Sequence, residues 1–105
     1  MRYADHPLVT TTLVRGETWT FIRDRVGHRA AVDLLDAIGA SPRVDLAPVS
    51  EEIEDGAVKW LRRHDERVYS FVDATSFALM RARRITQALA FDEDFAAAGF
   101  VAVKE

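Results

Sequence analysis

Cysteine is absent from the 105 residues, which rules out a disulfide framework and any thiolate metal centre. No apolar run approaches the ~20 residues that a membrane helix needs. The opening residues, MRYADHP, lack the basic-then-apolar pattern of a secretory signal. A cytoplasmic protein without membrane attachment is therefore expected. Histidine is scarce, and His6, His28 and His64 share no ligand spacing. No motif joins Ser76 and His64 into a nucleophilic triad. An excess of positive charge is missing as well: the net charge is −3, which argues weakly against nucleic acid as a partner. The arginines are nevertheless concentrated, with Arg62, Arg63, Arg67, Arg81, Arg83 and Arg84 within a short span. They offer contacts to a phosphate backbone, although most also read as solvated helix-end charges. Repeats, linkers and low-complexity tracts are lacking, so residues 1–105 read as a single domain with an irregular stretch at 1–7.

What is present alternates. Leu8 to Val14 is rich in β-branched residues and predicts a buried strand. Arg15-Gly16 turns it into a helix with Glu17 in its first turn, Trp19, Ile22 and Val26 on one face, and Gly27 as its stop. His28 to Ile38 predicts a second helix, with Ala31, Leu34, Leu35 and Ile38 inward and Gly39 as terminator. Residues 43–49 predict a strand, placed on an edge by Pro48. Ser50 caps the next helix, whose inward stripe is Ile53, Ala57, Trp60 and Leu61. Gly56 inside it costs about 1 kcal/mol relative to Ala. Trp19 and Trp60 sit on apolar stripes and read as core.

The last third carries most of the information. Ser70 fits an N-cap and Asp73 the third helical position, a capping-box spacing with Asp in place of Glu. The helix runs through Phe77, Leu79 and Met80 into the basic Arg81, Arg83 and Arg84. Residues 86–90 then lead to Asp92-Glu93-Asp94, a half-helix from Phe95 closed by Gly99, and a final strand. On pattern alone ARRITQALAF also has good helix formers. The order of elements is that of an α/β domain with a parallel sheet.

The stretch SFVDATSFALMRARRITQALAFDEDFAAAGF resembles the C-terminal half of a PIN domain, in particular the toxin ribonucleases of Vap-type toxin–antitoxin pairs. The resemblance implies a strand over 86–90. It also implies that Asp73, and Asp92 in a T-x-D-x-x-F phrase with Ala90 in the place of Thr, hold a divalent metal. Glu17, in GETW, matches a third acidic position, and Asp94 lies beside the site and shares in it. The implied catalytic acids are thus Glu17, Asp73 and Asp92, and the implied metal ligands are these three with Asp94. Acids at strand–helix junctions can converge at the carboxyl ends of parallel strands. Converging carboxylates repel one another unless a cation lies between them. Hard oxygen donors suit Mg²⁺ or Mn²⁺, which activate water and polarise a phosphoryl oxygen. Capping and dipole effects account equally for each acid taken singly.

A PIN domain opens with a strand ending in Asp followed by Thr or Ser. No such segment stands before Leu8, since Tyr3-Ala4-Asp5-His6 has no apolar strand ahead of its Asp. The expected fold is therefore PIN-like α/β, N-terminally truncated, with about four strands in a parallel sheet and helices on both faces. Loss of a central strand leaves neighbouring edges unpaired and weakens cation retention. Two functions compete. One is a metal-dependent endoribonuclease toxin acting on RNA and held by a cognate antitoxin. The other is a catalytically impaired remnant that binds an antitoxin or a second copy of itself. An unrelated small α/β binding module is the third reading.

Overall fold

The computed structural model describes residues 7–89 and 94–103, with the side chains of 89, 102 and 103 left aside. The chain divides into two compact units, Met1–Pro48 and Val49–Glu105. Among the described residues four strands alternate with five helices, and every strand pair is parallel. This is the α/β alternation expected from the sequence. No helix among the described residues is long and apolar enough to cross a membrane.

In the first unit, β1 (Leu8–Thr11) pairs with β2 (Val44–Ala47), Leu8 opposite Val44 and Thr11 opposite Ala47. The strand is shorter than its β-branched run predicts, and Leu8 and Val9 are exposed rather than buried. Thr11 is the reason for the early end. Its hydroxyl accepts the N–H of Val14 at 3.1 Å and caps α1 (Thr12–Arg25), so Thr12, Leu13 and Val14 are already helical. Thr18 and Thr20 then donate back to the carbonyls of Val14 and Gly16, which lets threonine sit in a helix interior.

None of the described residues of α1 is buried; Trp19 and Ile22 are half-buried. Val26, expected on the inward stripe, is instead the exposed C-cap. Gly27 follows with φ 139°, and both it and Val26 donate to the Ile22 carbonyl. Next, α2 (His28–Ala40) packs on α1 and holds buried Ala31 and half-buried Leu34, Leu35 and Ile38. Gly39 does not end this helix. Termination comes at Ser41, held extended (φ −79°, ψ 119°) by the proline that follows it. Pro48 lies just beyond β2 rather than in it.

The second unit begins with α3 (Glu51–Arg63), capped by Ser50 through the N–H of Ile53 at 3.2 Å. Its first turn holds Glu51, Glu52 and Glu54 and its last turn Arg62 and Arg63, the arrangement that suits the helix dipole. It packs against α4 (Phe71–Ala82), which buries Ala74, Thr75, Phe77, Leu79 and Met80. Phe77 is the centre of this core. Around it lie Met80, Ala88, Ala98 and Phe100, flanked by Trp60, Tyr69, Ile85 and Phe95. The rings of Trp60, Phe95 and Tyr69 meet that of Phe77 edge-on at 5.1, 4.9 and 5.8 Å.

Helix α4 stops because Arg84 turns left-handed (φ 57°) and Ile85 donates to the Met80 carbonyl at 2.8 Å, a Schellman-type closure. The chain then forms β3 (Gln87–Leu89), so the ambiguous ARRITQALAF stretch resolves as helix end, turn and strand. The half-helix α5 (Asp94–Ala97) closes on Gly99 at φ 100°, as expected, and β4 (Val101–Val103) pairs with β3.

Candidate active site

Ser70 and Asp73 form the best-defined part of the site. The Ser70 hydroxyl accepts the backbone N–H of Asp73 at 2.9 Å, which places the half-buried Asp73 carboxylate in the first turn of α4. That end of a helix carries partial positive charge and favours an anion.

Glu17 stands differently from its expected place. Because α1 starts at Thr12, Glu17 falls in the second turn, beyond the reach of a first-turn dipole effect, and it is exposed. The bland account of this acid as a helix-start charge therefore loses its basis. Asp92 and Glu93 lie outside the described residues. Asp94 is described, and it opens α5. Its Oδ1 accepts from Nε of Arg67 at 3.1 Å and from Nη2 at 2.9 Å.

Among the described residues no group of three or more His, Cys, Asp or Glu side chains is gathered closely enough to hold a metal ion. The chemistry of the candidate donors is nonetheless uniform. Glu17, Asp73, Asp92 and Asp94 all offer carboxylate oxygen, while the described histidines are engaged elsewhere. His28 meets the edge of Trp19, and His64 stacks on Trp60 with its Nδ1 2.9 Å from Glu66. An all-oxygen donor set fits a hard divalent cation and disfavours zinc.

Two of the six clustered arginines have structural work that the sequence did not signal. Arg81 donates from Nη2 to the carbonyl of Ala98 at 2.7 Å, and its guanidinium lies over the rings of Phe100 and Trp60. Arg67 holds Asp94. Arg62, Arg63 and Arg84 are exposed. The partners of Arg67 and Arg81 are 27 and 17 residues away, outside any local pattern.

The site's connector has its own electrostatics. Residues 64–70 join α3 to α4, and within them Tyr69 turns its ring onto Trp60 and Phe77. The hydroxyl of Tyr69 is buried and has no hydrogen-bond partner among the described residues. That burial pushes the phenol above its ordinary range, with the Glu66 carboxylate adding to the effect and Arg67 opposing it. Glu66 itself is held below the usual carboxylate range, first by a backbone hydrogen bond and then by His64.

Comparison with known proteins gives this arrangement a family. The PIN domain profile matches residues 2–101. The 23S rRNA-specific endonuclease VapC20, from two strains of Mycobacterium tuberculosis, is 55% identical over 97 residues, covering 92% of this chain and 73% of that protein. The crystal structure of M. tuberculosis VapC20, described as a Sarcin-Ricin loop cleaving toxin, superposes with a TM-score of 0.90 and 52% identity. That match covers 97% of this chain and 78% of the other. The parallel α/β architecture is thus the PIN fold, and this chain belongs to the PIN domain family.

Proposed function

We propose that this chain is an endoribonuclease, the toxin of a toxin–antitoxin pair, that hydrolyses phosphodiester bonds of ribosomal RNA. The observation that carries the reading is the 55% identity, across 92% of the chain, to a 23S rRNA-specific endonuclease. A TM-score of 0.90 to a toxin that cleaves the Sarcin-Ricin loop supports the same substrate class. The family match runs through both compact units, which supports reading residues 1–105 as one domain. A cognate antitoxin, a cytoplasmic location and self-association belong to the same proposal.

Glu17, Asp73 and Asp92 are the proposed catalytic acids and ligands of Mg²⁺ or Mn²⁺. When bound, such a cation supplies an activated water and a counter-charge for the phosphoryl oxygens in an in-line attack. The chain's own part is positioning. Ser70 fixes the first turn of α4 and so the backbone from which Asp73 projects. A carboxylate held there needs little reorganisation when charge develops beside it. Arg62 and Arg63, exposed at the end of α3, and the exposed Arg84 are available to RNA phosphates.

Primer extension on 23S rRNA from ribosomes treated with the purified chain tests the proposal. One discrete cut within the Sarcin-Ricin loop is expected, present with Mg²⁺ or Mn²⁺ and absent in excess chelator. Intact rRNA under all these conditions, or cleavage indifferent to chelator, would contradict it.

A further inference from the structure

We propose that Arg67 is a positioning residue of this site and that Asp94 serves as its anchor, not as a cation ligand. The inference rests on the ribonuclease reading and adds a residue to it. The guanidinium of Arg67 places both Nε and Nη2 on a single oxygen, Asp94 Oδ1, at 3.1 and 2.9 Å. Two N–H donors fill the two acceptor positions of a carboxylate oxygen. In that arrangement Oδ1 is fully engaged, and the fixed positive charge of Arg67 beside the carboxylate disfavours a cation on Oδ2 as well.

The pair ties the connector that leads to Asp73 to the first residue of α5. Arg67 lies three residues before the Ser70 cap, in the connector that enters α4 and leads to Asp73. Asp94 is the first residue of α5, two positions after Asp92 in the sequence. Both ends of the strap are backed by packed rings. Tyr69, whose N–H donates to the Arg67 carbonyl at 3.1 Å, packs on Trp60 and Phe77. Phe95, next to Asp94, packs on Phe77 at 4.9 Å and Phe100 at 6.4 Å. Ring packing on a shared core residue orders both backbones, so the two ends of the pair are held in place by the core. Partners outside the ligand shell that orient the ligands tune metal affinity strongly.

The test compares the wild type with Arg67→Ala, Arg67→Lys, Asp94→Asn and the exchanged pair Arg67→Asp/Asp94→Arg. Mn²⁺ affinity, melting temperature, and kcat and KM on 23S rRNA are read for each. A strap predicts that Arg67→Ala weakens Mn²⁺ binding on the order of tenfold and lowers kcat more than it raises KM. Arg67→Lys should recover part of both, and the exchanged pair should bind Mn²⁺ more tightly than either single change. If Asp94 is a ligand instead, Arg67→Ala removes a competing charge and tightens Mn²⁺ binding, while the exchanged pair abolishes it; either result overturns the proposal. A rise in KM alone would make Arg67 an RNA contact and overturn it too. A wild type that binds Mn²⁺ and cleaves, beside an unchanged Arg67→Ala, overturns the strap alone. A wild type that does neither brings down the ribonuclease reading along with it.

Discussion

The hydroxyl of Ser70 accepts the backbone N–H of Asp73 at 2.9 Å, so one hydrogen bond both starts α4 and places the first turn's carboxylate. Under the proposed function this bond links stability to catalysis. Ser70→Ala should cost about 1 kcal/mol, the usual value of a lost N-cap, and should lower rRNA cleavage as well. Urea unfolding read beside cleavage checks this. A stability loss with cleavage intact would show that the cap does not set the carboxylate.

The end of the same helix offers an opposite test. Arg84 adopts φ 57°, a left-handed conformation that costs a residue with a Cβ. Arg84→Gly should therefore stabilise the protein by about 1 kcal/mol. A higher midpoint in urea at unchanged slope is the expected result. A lower midpoint would mean that the arginine side chain contributes more than the backbone strain it brings.

The connector between α3 and α4 should report on pH from both sides. The Tyr69 phenol is raised above its ordinary 10.0 by burial and by Glu66. A folded-state value above the unfolded one leaves stability intact below the unfolded value and removes it as pH climbs through the folded one. Glu66 is lowered from 4.5 by its backbone bond and by His64, so its contribution is present above that value and is lost as pH falls through the folded one. In a Tyr3→Phe background, which leaves Tyr69 as the one tyrosine of the two, phenolate absorbance should rise later in the native protein than in urea. Coincident titrations would contradict the burial of the hydroxyl.

Much of this architecture was legible because its determinants are local. Ser50 and Ser70 announce their helices through side chains that reach only three residues on. The errors also have local causes. Thr10, Thr11 and Thr12 have the composition of a strand, yet a threonine hydroxyl is equally an N-cap, and Thr11 spends it on Val14. Gly39 resembles a terminator, but the restriction placed on Ser41 by Pro42 is what ends α2. In ARRITQALAF the propensities favoured helix, while the left-handed turn at Arg84 and the parallel pairing of Gln87 with Val101 decided for strand. The family resemblance, and not the residue pattern, anticipated that outcome.

The proposed site's acids were named from the sequence, and its supports were not. The cap spacing visible in sequence placed Asp73 in the first turn of α4, and the family resemblance made it a candidate ligand. The Arg67–Asp94 pair and the Arg81 bond to Ala98 join positions 27 and 17 residues apart, and only the folded core around Phe77 brings them together. Counting arginines by their spacing made Arg81 a candidate for RNA. Its guanidinium is instead spent on a backbone carbonyl and two aromatic rings.

The most direct measurement is cleavage of 23S rRNA by Asp73→Asn beside the wild type, with circular dichroism on both. Losing a proposed metal ligand should slow cleavage by more than about 100-fold, beyond the range seen when only an outer partner of a metal site is removed. The helical signal should stay, because Ser70 accepts the backbone N–H of residue 73 and not its side chain. Undiminished cleavage by a folded Asp73→Asn would contradict the assignment of this carboxylate, and with it the account of the site.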